Sequence, residues 1–181
     1  MSTLKVSTIS PLGTDATKTI TIGSAGDTIA GVGANIPAFE AYPASDQTGS
    51  RQTNIKINFD TKVFDTNNCF DTSNNRFTPT VAGKYYVYTN ARVTATTANL
   101  MDDARILIYK NGSAYKKVEI DPENSADINK VNLGAFAILD LDGTSDYVEI
   151  FFYVDTDSGT DAKISGGLES NTFGAYRLIG V

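Results

Sequence analysis

The sequence predicts an all-β domain, with many short strands folded as a sandwich, jelly roll or barrel. Three observations carry that expectation. Apolar and polar residues alternate in short runs, turn-forming residues separate the runs, and no window has the i, i+3, i+4, i+7 apolar spacing of an amphipathic helix. Composition agrees. Thr, Ser, Asn, Asp and Gly are abundant, and Ile, Val, Tyr and Phe supply the apolar part, a mixture that favours strands and turns.

In chain order, Thr19–Ile22 reads T-I-T-I and Asn54–Phe59 reads N-I-K-I-N-F. Lys84–Asn90 reads K-Y-Y-V-Y-T-N and Arg105–Lys110 reads R-I-L-I-Y-K. Tyr147–Val154 is nearly continuously apolar, as a strand covered on both faces is. Turn signals lie between these runs at Asp71–Asn75, Lys110-Asn111-Gly112, Asp142-Gly143 and Asp155–Asp161.

The chain has 181 residues, enough for one all-β domain with a core. No run of eighteen apolar residues is present, so no membrane-spanning segment is expected. Residues 1–10 have one Lys and no apolar stretch, so no secretory signal is expected. The absence of His excludes Ser-His-Asp and Cys-His catalysis and His-ligated metal. One cysteine, Cys69, permits no intrachain disulfide, so stability must come from packing or oligomerisation. The net charge of −6 makes nucleic acid and anionic membranes poor partners. These facts favour a binding or structural protein over an enzyme.

Residues 1–36 contain no Phe or Tyr, whereas aromatics recur from Phe39 to Tyr176. A segment without large side chains buries little area alone. Residues 1–36 are therefore expected to be an extended anchoring arm, and residues 37–181 the globular domain.

From Phe59 onward the chain carries a spaced set: Phe59, five residues, Asp65, four residues, Phe70, six residues, Phe77, five residues, Gly83, one residue, Tyr85. This set resembles the signature of the C1q domain of the C1q and tumour-necrosis-factor superfamily. Two signature positions depart: Val87 and Thr89 stand where aromatics usually occur, with Tyr86 and Tyr88 beside them. Pro37-Ala38-Phe39 resembles the opening strand, and Leu107–Gly112 the strand with its Asn-Gly turn. Leu139–Val148 and Thr172–Tyr176 resemble the later strands more loosely. The resemblance implies a ten-stranded jelly-roll sandwich that assembles as a homotrimer and is not an enzyme; no cofactor or metal is expected. The Thr- and Gly-rich leader, Leu4–Ile9 and Thr19–Ile29, resembles those of tailed-phage fibre and virion proteins, particularly cyanophage ones. It implies a virion location, with residues 1–36 contacting other virion proteins and the head facing a host surface receptor or glycan. The alternative is a secreted bacterial or animal C1q-like interaction module.

The signature residues also make physical sense. Phe59, Phe70, Phe77 and Tyr85 fall on successive expected strands, where aromatics fill a sandwich core. Gly83 stands at the start of a strand, where the missing Cβ permits a tight turn. Asp65 is expected in a connection, bonding nearby backbone N–H groups. Asp155, Asp157 and Asp161 crowd one glycine-containing loop. They form a candidate recognition loop, read as a solvated acidic turn rather than a calcium site. Cys69 is read as a small buried hydrophobe. Asp102-Asp103 and Glu119/Asp121 are read as acidic surface turns. Lys110, Lys116 and Lys117 are read as a basic hairpin guarding an edge strand. By alternation Tyr85 faces the core, while Tyr86 and Tyr88 face away, towards a subunit contact.

Overall fold

Residues Gly83–Ala95 set the frame. Tyr85, Val87, Thr89, Ala91 and Val93 are buried, while Lys84, Tyr86, Tyr88, Asn90 and Arg92 between them are not. A strand with one face on a core produces that period of two. The structure, a computed structural model, describes residues 37–96, 101–122, 128–156 and 162–179. The anchoring arm expected at residues 1–36 lies outside them.

The described residues form thirteen strands: β1 (Ala38–Tyr42), β2 (Gln47–Gly49), β3 (Ile55–Lys56), β4 (Thr61–Asp65), β5 (Phe70–Asp71), β6 (Arg76–Phe77), β7 (Gly83–Ala95), β8 (Met101–Lys110), β9 (Ser113–Ile120), β10 (Lys130–Leu141), β11 (Val148–Thr156), β12 (Ala162–Ile164) and β13 (Thr172–Arg177). One sheet runs β4-β1-β13-β7-β10, with β12 continuing beside β7 and carrying β2 outside it. The other runs β5-β6-β11-β8-β9, with β3 beside β11. The pairings are antiparallel. Eight strands have five or more residues, which is the strand count of a jelly roll. The remaining five are segments of two or three residues, so the ten strands expected become more numerous and shorter.

The two inner faces meet in an aromatic core. Phe39 stacks on Phe70 at 4.5 Å and on Phe77 at 4.8 Å, and meets Phe173 edge-on at 4.9 Å. Phe59 packs against Phe173, and Phe77 against Tyr85. Each ring is at most 1% exposed, and burying one such side chain contributes about 1.5–3 kcal/mol. Between β8 and β9 the two-residue loop Asn111-Gly112 has φ of 51° and 77°. Positive φ at both positions is the type I′ turn, whose twist matches the strands it joins.

Some local expectations shift. Within Asn54–Phe59 the burial alternates as read, with Ile57 and Phe59 fully buried. Only Ile55–Lys56 is strand, because the Ile57 N–H bonds the Ile150 carbonyl and the chain then turns within Ile57–Asp60. Phe59 therefore lies between strands rather than on one. Asp65 ends β4, paired with Phe39, instead of lying in a connection. Asp102, Asp103 and Glu119 sit on β8 and β9 rather than in turns, because Asp103 and Glu119 flank Arg105 and pair with it.

Candidate functional site

The outer face of the larger sheet is the site. Its register lines outward residues into rows that cross the strands. One row runs Phe136 (β10), Tyr88 (β7), Gly174 (β13), Glu40 (β1) and Phe64 (β4). The next runs Ile138, Tyr86, Tyr176 and Ala38. Side chains opposed on one face of a sheet touch, and these do. Tyr86 lies 6.0 Å from Tyr88, 6.0 Å from Phe136 and 5.4 Å from Tyr176, centroid to centroid. Phe136 is 63% exposed, Ile138 54% and Phe64 44%. The face is thus a continuous aromatic surface with charge at its margin, where Lys84 meets Asp140 at 3.0 Å.

One carboxylate sits inside it. The Tyr88 ring lies across Gly174, and its hydroxyl donates to Glu40 Oε2 at 2.8 Å. A Cβ on Gly174 would stand 2.3 Å from the Tyr88 Cζ and Oη, so only glycine leaves the ring room to reach the carboxylate. Burial, and then the Glu40 carboxylate, push the Tyr88 hydroxyl well above the usual tyrosine range.

The signature residues hold the core behind this face. Phe59, Phe70, Phe77 and Tyr85 are buried, and the Tyr85 hydroxyl donates to the Val81 carbonyl at 2.6 Å. Burial pushes that hydroxyl up to about 12. Gly83 opens β7 with φ +150°, and a Cβ there would press on Arg177 Nε at 2.9 Å. Asp65 accepts the N–H groups of Cys69 (2.9 Å) and Phe70 (3.2 Å) and pairs with Lys62 at 2.7 Å. Burial alone would raise its carboxyl, but Lys62 and these N–H groups outweigh that and hold it low. Burial, and then the Asp65 carboxylate, push the Cys69 thiol up to about 12, so it stays protonated.

In the candidate recognition loop, Asp155 is tied to its own chain. Its carboxylate accepts from Arg51 Nη1 (3.3 Å), Gln52 Nε2 (2.9 Å) and the Thr156 N–H (2.8 Å). Asp157 and Asp161 lie outside the described residues. Among the described residues no three acidic or Cys side chains form a metal cluster.

Sequence reasoning placed Tyr86 and Tyr88 outward but missed Phe136, Ile138, Tyr176, Phe64 and Glu40. The signal lay in Leu133–Leu141, L-G-A-F-A-I-L-D-L. There Leu133, Ala135, Ala137, Leu139 and Leu141 face in while Phe136 and Ile138 face out. A strand apolar on both faces reads as covered on both.

No protein-family model matches the chain, and no curated protein matches it in sequence. Solved structures do resemble it. Eiger TNF from S. frugiperda has a TM-score of 0.61 and 10% identity, covering 80% of this chain and 93% of that one. The globular domain of zebrafish complement 1qA protein has a TM-score of 0.54 and 19% identity, covering 78% and 97%. Murine APRIL has a TM-score of 0.57 and 10% identity, covering 78% and 98%. The fold is a C1q/TNF-like jelly roll.

Proposed function

We propose that this chain is a non-enzymatic interaction module that forms a homotrimer through the outer face of its larger sheet. The observation that carries this is the bare aromatic face itself. Phe136, Ile138 and Phe64 are 63%, 54% and 44% exposed on one sheet face, apolar surface that a single chain leaves in water. Covering it with a second copy stabilises both copies by mass action. The finer reading is a tailed-phage fibre or spike head. Residues 1–36 attach it to other virion proteins, and the head binds a host surface receptor or glycan or decorates the particle. Three linked heads raise avidity by effective concentration, so weak single sites suffice. The phage-like leader supports this reading.

The test is co-sedimentation of the protein with purified particles, and its loss when residues 1–36 are deleted. A protein found free in the medium, with no particle fraction, would favour the second reading, a secreted bacterial or animal C1q-like interaction module. The likeness to the zebrafish complement domain supports that alternative.

A further inference from the structure

The margin of the same face opposite Lys84 and Asp140 turns basic. The register sets Arg92 opposite Asn132, and Thr94 opposite Lys130 on one side and Lys163 on the other. Opposed residues have Cβ atoms about 5 Å apart, so three cations gather around one threonine. Lys163 is paired with Asp46. The Arg92 and Lys130 side chains pair with no carboxylate among the described residues. Thr94 is only 8% exposed, and its buried Oγ1 has no hydrogen-bond partner there. An open cavity of about 330 Å³, lined by Arg92, Lys130, Val131 and Asn132, lies at this margin. The cluster runs against a chain whose net charge is −6.

We infer that this cavity binds a tetrahedral oxyanion, a sulfate or phosphate group that is free or carried on a small molecule. Arg92 presents a planar fork that grips two oxygens at once, and Lys130 supplies a mobile point charge. The Asn132 amide donates a neutral hydrogen bond. The donors come from both β7 and β10. All donors come from one chain.

The experiment is thermal denaturation of the full chain in millimolar sodium sulfate or phosphate, against sodium chloride at equal ionic strength. Parallel arms use galactose 6-sulfate and glucose 6-phosphate against the parent sugars. The oxyanions should raise Tm by several degrees over chloride, saturating with concentration as mass action requires. The double variant Arg92→Gln, Lys130→Gln should lose that shift. Lys116→Gln with Lys117→Gln, an equal charge change on exposed β9, should keep it. A larger shift from an ester than from the inorganic ion assigns an esterified ligand. Equal shifts assign the free ion, and both support the site. No shift over chloride, or the same shift in the Arg92/Lys130 variant, overturns it.

Discussion

The two sheets carry aromatics on their outer faces and treat them in opposite ways. On the smaller sheet, Arg76 lies over the Tyr147 ring at 3.6 Å and Arg105 over Tyr153 at 4.4 Å. The surrounding charges answer one another. Glu149, only 4% exposed, takes Arg76 at 2.8 Å and Lys56 at 3.1 Å, and Arg105 pairs with Asp103 and Glu119. The Tyr109 ring packs tilted against Phe151 at 4.2 Å, and its hydroxyl accepts from Asn54. Tyr147 and Tyr153 are thus covered within one chain, while Tyr115 on β9 stays 56% exposed. On the larger sheet no guanidinium covers Tyr86, Phe136 or Tyr176 among the described residues, and the one carboxylate, Glu40, is already taken by Tyr88. An aromatic on a strand therefore does not mark an interface by itself. What sets the larger sheet's face apart is that no cation lies over Tyr86, Phe136 or Tyr176 among the described residues.

The largest effect that separates the faces should come from Arg76→Ala. It strips two hydrogen bonds from the nearly buried Glu149 and uncovers Tyr147. Leaving a buried charge short of its partner costs about 3 kcal/mol. Chemical denaturation should show that loss while the oligomeric mass stays unchanged. An equal loss of assembly would mean that the smaller sheet is also an interface.

Gly174→Ala probes the other face. The added methyl displaces the Tyr88 ring and breaks its bond to Glu40, at a cost of about 2 kcal/mol. Here the mass should fall as well, because the aromatic rows lose their alignment. Sedimentation velocity of the variant gives the answer.

The Tyr85 hydroxyl beneath that face gives a smaller, pH-dependent effect. It ionises near pH 10 when unfolded and at about 12 when folded. The folded state holds the proton more tightly, so this contribution is full below pH 10 and is lost as pH rises towards 12. Melting temperatures should fall over that window, and Tyr85→Phe should flatten the fall while costing about 1 kcal/mol at neutral pH. Tyr88, raised in the same direction, retains part of the slope. The smallest expected effect is none: Cys69, buried with its thiol pushed up to about 12, should resist iodoacetamide at pH 8 until the chain unfolds.

Local pattern carried much of the fold. Alternation in Lys84–Asn90 and the Asn-Gly turn at 111–112 are written in neighbouring residues, and both appear where expected. The spaced aromatics from Phe59 to Tyr85 form the core because side-chain period and burial are coupled. Asp65 was harder to place, because its strand pairing with Phe39 spans a long separation that no local spacing encodes. The aromatic face was half legible. Tyr86 and Tyr88 share a strand, but Phe136, Tyr176 and Phe64 reach them only through the ladder register. The covering of Tyr147 by Arg76 was not legible either, since the two residues are far apart in the chain. Composition alone therefore gave no reason to treat the two faces differently.

If copies of this chain meet on the larger sheet's outer face, a charge placed in the middle of that face breaks the assembly. Sedimentation equilibrium of the full chain at micromolar concentration, beside the variant Phe136→Asp, tests it most directly. Phe136 is 63% exposed in one chain, so the substitution leaves the core untouched and places a charge in the middle of the face. The wild-type chain should sediment at three times its 19.4 kDa mass, and the variant as a monomer with an unchanged β circular-dichroism spectrum. A monomeric wild-type chain, or a variant that stays trimeric, would rule out that interface.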